Sequence, residues 1–143
     1  MRVERQLSLI IDNRPGVLAK VCGDLAQAKI DIVAINVENL VDHSAVRVIV
    51  DDPDRATHLL GTAGVLVFEN EVLAVTIHNK PGALLDLAQR LGSARVNIDY
   101  MYGSTPDRGK AAVFLRVNDV KRAQTALKRT GKGKGKGKAK RER

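Results

Sequence analysis

At 143 residues, 44% hydrophobic but only 3% aromatic, the chain holds enough apolar side chains for one ordinary domain or two very small ones, cored by Val, Leu, Ile and Ala. The net charge of +8 is local: nine of the 24 Lys and Arg fall within 128–143, leaving residues 1–127 with fifteen basic and fifteen acidic side chains and no basic face of their own. With no apolar run near the roughly eighteen residues of a membrane span, no signal-peptide stretch in MRVERQLSLIIDNR and a single cysteine, the expectation is a soluble cytoplasmic protein with no membrane partner and no internal disulfide.

From the N-terminus, Leu7, Leu9 and Ile11 alternate with Gln6, Ser8 and Ile10, the period of a half-buried strand. NRPGVL at 13–18 ends it, and Val17, Leu18, Val21, Cys22 and Leu25 then fall on one helical stripe, where Cys22 reads as a small apolar filler. Proline suits the first helical turn because its missing N–H needs no partner there, so Pro15 is expected to start this helix. Asp31–Leu40 reads as a strand, 41–44 as a turn and Ala45–Val50 as another strand. DDPDRATHLL opens on Asp51, Asp52 and Asp54, which complement a helix dipole, so it reads as a second helix rather than a metal site. VLVFE, Val65–Glu69, is the closing strand.

Then the series repeats. NKPGAL at 79–84 stands 66 residues after NRPGVL, and residues 13–32 match 79–98 at seven of twenty positions. Leu73, Val75 and Ile77 alternate as the first strand did, and Ala83, Leu84, Leu87, Ala88 and Leu91 form the helical stripe. Asn97–Gly103 and Ala111–Val117 are strands around a turn at 104–110, and NDVKRAQTAL is the last helix. Where the first copy has VLVFE, the second has KGKGK, so the final strand is missing and a disordered basic tail is expected in its place. That leaves an exposed sheet edge, or one covered by another segment. The expected fold is α+β: two ferredoxin-like β-α-β-β-α-β units at 1–69 and 70–129 forming a pseudo-dimer, with an extended antiparallel sheet and helices on one face, followed by a tail at 130–143.

Both copies place Asn, Pro and Gly where a strand becomes a helix. Unpaired N–H groups and the positive end of the helix dipole lie there. Gly16 and Gly82 allow close approach to the main chain, and the Asn side chain offers a donor and an acceptor. Such a set suits a small zwitterion such as a free amino acid, its carboxylate on the amides and its ammonium on Asn and carbonyl oxygens. The plain alternative is a good strand–helix connector, with Asn13 as a cap. His78 precedes Asn79 and borders the same place, whereas His43 and His58 have no partner at metal-ligand spacing. Tyr100 and Tyr102 share one face of a strand, either packing within the sheet or lining the cleft.

LSLIIDNRPGVLAKVCGDLAQAKIDI and VLAVTIHNKPGALLDLAQRLGSARVNI strongly resemble the ACT domain, the small-molecule regulatory module of amino-acid metabolism, over roughly residues 3–129 and with no enzyme domain attached. The tandem arrangement, with Ile98, Tyr100 and Tyr102 after the second copy's first helix, looks like the stand-alone amino-acid-binding ACT proteins. The resemblance implies units paired side by side, with ligand at the interface between units. It implies contacts from the strand–helix loop and from a polar residue opening the next strand. In copy one these are Asn13, Arg14, Pro15, Gly16, Val17, Leu18 and Asp31; in copy two, Asn79, Lys80, Pro81, Gly82, Ala83, Leu84 and Asn97. Serine-binding ACT units have Asn at both polar positions, which copy two matches, whereas copy one departs from it at Asp31.

No GxSxG, HExxH, P-loop or Rossmann fingerprint is present, so no catalytic constellation and no cofactor is expected. An RRM shares this topology but stacks bases on aromatics of its first and third strands, where Phe114 stands alone. The expected function is amino-acid sensing by a regulatory protein that homodimerises and acts alone or on an enzyme in trans. The alternative is a nucleic-acid-associated protein that uses the basic tail for weak, salt-dependent contact.

Overall fold

The computed structural model describes residues 1–107 and 109–128; the expected tail at 130–143 lies outside them. In chain order the elements are β1 (Arg2–Asp12), α1 (Val17–Gln27), β2 (Ile32–Asn39), β3 (His43–Val50), α2 (Pro53–Thr62), β4 (Leu66–His78), α3 (Ala83–Ser93), β5 (Ile98–Asp107), β6 (Lys110–Val117) and α4 (Val120–Lys128). They fall into two compact units, Val3–Val72 and Leu73 onward, the latter with Met1 and Arg2.

In the first unit the strand order is β2-β3-β1-β4. Leu9 lies opposite Val46 and Leu7 opposite Val48, which puts the apolar alternate residues of β1 and β3 on one face. Val21 and Leu25 of α1 and Ala56 and Leu60 of α2 close over that face, with Val65 and Val67 packed at its side. In the second unit the order is β4-β6-β5, with Leu73 opposite Leu115 and Val75 opposite Val113. Leu87 and Leu91 of α3 and Ala123 of α4 cover it. Each fully buried Val or Leu contributes about 1.5–3 kcal/mol, so these two clusters hold the units together.

Several boundaries differ from the sequence reading for identifiable reasons. The helices begin at Val17 and Ala83, each capped by a glycine in the left-handed region, Gly16 at φ 88° and Gly82 at φ 89°. Pro15 and Pro81 therefore lie before the caps instead of in the first turn. The strands expected at 65–69 and from Leu73 are one continuous strand, which runs through Asn70 and Glu71 without a turn. The turn expected at 104–110 is shorter, since β5 continues to Asp107 through a register shift between Ser104 and Asp107. Cys22 is half-buried and Ala88 exposed, so the buried stripes are narrower than expected.

The closing strand expected to be missing from the second copy falls outside the described residues. Met1 lies in a depression with Val75, Thr76 and Ile77 of β4 and with Leu127 and Lys128.

Both units also end their first helix alike. Lys29 and Arg95 sit at φ 57°, and the following Ile30 and Val96 donate N–H bonds to Leu25 and Leu91 at 3.0 and 2.9 Å. This is the 6→1 bond of a Schellman ending, made here by residues that carry a Cβ. Lys29→Gly and Arg95→Gly should each relieve left-handed strain and stabilise by up to about 1 kcal/mol in urea unfolding.

On the surface, the Arg5 Nη2 donates to Asp54 at 2.7 Å and to Glu69 at 3.0 Å. Those bonds, Arg5's charge adding to them, hold both carboxyls below their ordinary range. Because folding lowers these values, the stabilisation is present above the ordinary carboxylate range near about 4 and is lost as pH falls from there through the lowered values. The melting temperatures of the wild type and Arg5→Ala should therefore converge as pH falls from about 5 through the lowered carboxyl values.

Candidate functional site

The two strand–helix loops are built alike, and both are tied to a hairpin. The Asn13 N–H donates to Asp42 O at 3.1 Å, and the Asn79 N–H to Gly109 O at 3.0 Å. The Asn13 side chain adds a bond from Nδ2 to Leu40 O at 3.2 Å, so it anchors the β2–β3 turn and is no helix cap. Neither α1 nor α3 has a side-chain cap bond. Val17 and Ala83 return N–H bonds to Arg14 and Lys80. Among the described residues, the N–H groups of Gly16, Leu18 and Ala19, and of Gly82, Leu84 and Leu85, have no partner. Each loop thus presents three donors at the positive end of a helix dipole.

Charge separates the two loops. In the first, Arg14 folds back on Asp12, Nη2 to Oδ2 at 3.2 Å, which neutralises it. In the second, His78 stands where Asp12 stood, and Lys80 has no acidic partner among the described residues. The second loop is the one suited to an anionic group.

A cavity of about 390 Å³ opens beside that second loop. Asn79, Lys80, Ala83 and Leu84 line it from the loop and α3; Met101, Tyr102, Gly103 and Ser104 from β5; Ile77 and Val113 from β4 and β6. His78 borders it as well. Pro81 and Gly82 instead line a second opening with Asp86 and Arg90, whose side chains pair at 2.9 Å. Tyr102 stacks on Phe114 at 5.4 Å and 24° and also lines the cavity.

The polar residues opening the second strands lie elsewhere. Asp31 N–H bonds the Asp51 carboxylate at 3.0 Å, and Asn97 N–H bonds Asn118 Oδ1 at 2.9 Å, while Asn97 Nδ2 donates to Asp99 at 2.8 Å. Asn79 is bonded next to the start of β6 and Asn97 just past its end. Eight residues of strand separate those points, about 25 Å, so one unit does not bring its own Asn79 and Asn97 together.

Met101, Gly103 and Ser104 were not candidates from sequence, though the repeat held a signal. Offset by 66, they replace Ile35, Val37 and Glu38. Gly103 is the telling exchange, since a Cβ there would lie 2.6 Å from Ala112 O.

Comparison with known proteins identifies the family. The sequence profile of the ACT domain pair matches residues 1–130. The chain belongs to that family. It is similar to protein BT0572 from Bacteroides thetaiotaomicron, with 30% identity, a TM-score of 0.86, and 90% of this chain and 89% of that one covered. It also resembles the ligand-free regulatory subunit of aspartate kinase from Thermus thermophilus, at 20% identity and a TM-score of 0.68 over 92% and 97% of the two chains. The corresponding subunit from Thermus flavus has 20% identity and a TM-score of 0.66 over 92% and 93%. A search of curated protein sequences returns no match. No helix among the described residues is long and apolar enough to cross a membrane.

Two variants test the local architecture. Asn13→Ala should free the β2–β3 turn at a cost of about 0.5–1.5 kcal/mol, read as faster amide exchange at Leu40–His43. Gly103→Ala should shift β5 against β6 and cost about 1–3 kcal/mol in unfolding measurements.

Proposed function

We propose that this protein is a non-catalytic amino-acid sensor whose ligand sits in the cavity beside the second strand–helix loop. One observation carries the reading: Asn79, an unneutralised Lys80 and Leu84, whose N–H is unpaired, line an apolar cavity of about 390 Å³ beside the start of α3. That volume is within the roughly 300–1,000 Å³ of small-ligand sites. The ligand carboxylate takes the amides and Lys80, and its ammonium takes Asn79 Oδ1 and nearby carbonyl oxygens. The likeness to regulatory subunits of aspartate kinase supports a regulatory role, exerted alone or on an enzyme in trans.

The separation of Asn79 from Asn97 gives a reason for a homodimer. A second copy laid antiparallel along an edge strand brings its own Asp31 or Asn97 to the open loop. The edge strand β2 exposes Val33, Ile35 and Val37, which favours such a contact. In this reading the first loop, with Asp12 on Arg14 and Asp31 in place of Asn, is the weaker site.

Thermal-shift screening against the twenty amino acids is the direct experiment. A ligand at 100 times its Kd should add about 2.7 kcal/mol of stability. Asn79→Ala should weaken that ligand by about tenfold or more, roughly 1–3 kcal/mol. Absence of any shift across the panel refutes the sensor reading. Sedimentation equilibrium should return twice the 15.5 kDa chain mass, and a monomer at all concentrations removes the second copy from the site.

A further inference from the structure

We infer that each chain takes one amino acid, in the second unit only, and that its side chain is apolar and aliphatic or thioether in character, admitted by Gly103. This rests on the sensor reading above. The walls away from the loop are Ile77, Ala83, Leu84, Met101 and Val113. No carboxylate lines the cavity among the described residues, so an ammonium or guanidinium side chain finds no counter-charge there and meets Lys80 instead. A carboxylate side chain would have to lie on hydrocarbon, with the desolvation cost that follows. An apolar side chain meets matched surface, where a single methylene changes binding by about 10–200-fold.

The repeat supplies the contrast that limits the site to one unit. Copy one has Val37 where Gly103 stands, and Glu38 where Ser104 stands. Glu38 is held by Arg47 at 2.9 Å, which fixes a charged pair at that place. Copy two has no side chain at 103 and a short hydroxyl at 104. The first helices differ in the same sense: Leu18 packs against its core, whereas Leu84 is 48% exposed and free to cover a ligand.

Isothermal titration of the full chain with leucine, isoleucine, valine, methionine, serine, aspartate and lysine tests this. One of the four apolar amino acids should bind with a stoichiometry of one per chain, about tenfold or more tighter than serine, aspartate or lysine. Ser104→Glu, which writes the copy-one residue into copy two at an exposed position, should weaken that binding by about tenfold while leaving the melting temperature of the free protein unchanged. Leu84→Asp should do the same, and its circular dichroism verifies folding. Tight binding of serine, aspartate or lysine overturns the selectivity but leaves a sensor. Two ligands per chain, or full binding by Ser104→Glu, overturns the assignment to this cavity. Binding of none of the seven overturns this inference, and the absence of a thermal shift across all twenty removes the sensor reading as well.

Discussion

The main-chain bond from each loop asparagine to the neighbouring hairpin organises everything else about the site. It clamps the end of a strand to the turn between two others, Asn13 to Asp42 and Asn79 to Gly109. With the loop fixed there, the following glycine must turn left-handed to launch the helix, and the first helical amides are left facing out. Only a residue without a Cβ makes that turn cheaply, which is why Gly16 and Gly82 share nearly the same φ. Asn-x-Pro-Gly is therefore first a connector, and the amides it leaves unpaired are what the proposed binding would use.

The two copies share that frame and diverge in what they hang on it. An aspartate neutralises the first loop's arginine, while a histidine stands in that place in the second. A hydrogen bond between Arg47 and Asn36 occupies the position where the second copy stacks Phe114 on Tyr102. Duplication thus kept the scaffold, whose bonds run through the main chain, and released the side chains, whose identities the scaffold does not constrain. Differences between copies are the most informative positions in the sequence.

Much of the fold was legible because it rests on local rules. Period-2 alternation gave the strands, the 3.6-residue stripe gave the helices, and the repeat checked each assignment against its twin. The continuity of β4 was not legible, since Asn70 and Glu71 read as a break between two apolar runs yet remain strand when Asn70 accepts a bond from the buried Gln6. The role of Asn13 was not legible either, because its partner Leu40 is 27 residues away. For the site, the loop residues came from the motif. Met101, Gly103 and Ser104 did not, since a cavity is made by what side chains leave empty, and no periodicity records that. Asn79 and Asn97, paired by the motif, are parted by the length of β6.

β4 carries Val67 into one core and Leu73 into the other with no turn between them. The join between one copy and the next is therefore strand and not a loop. A break placed there falls within a hydrogen-bonded element, so either piece ends on a severed strand whose backbone has lost its continuation.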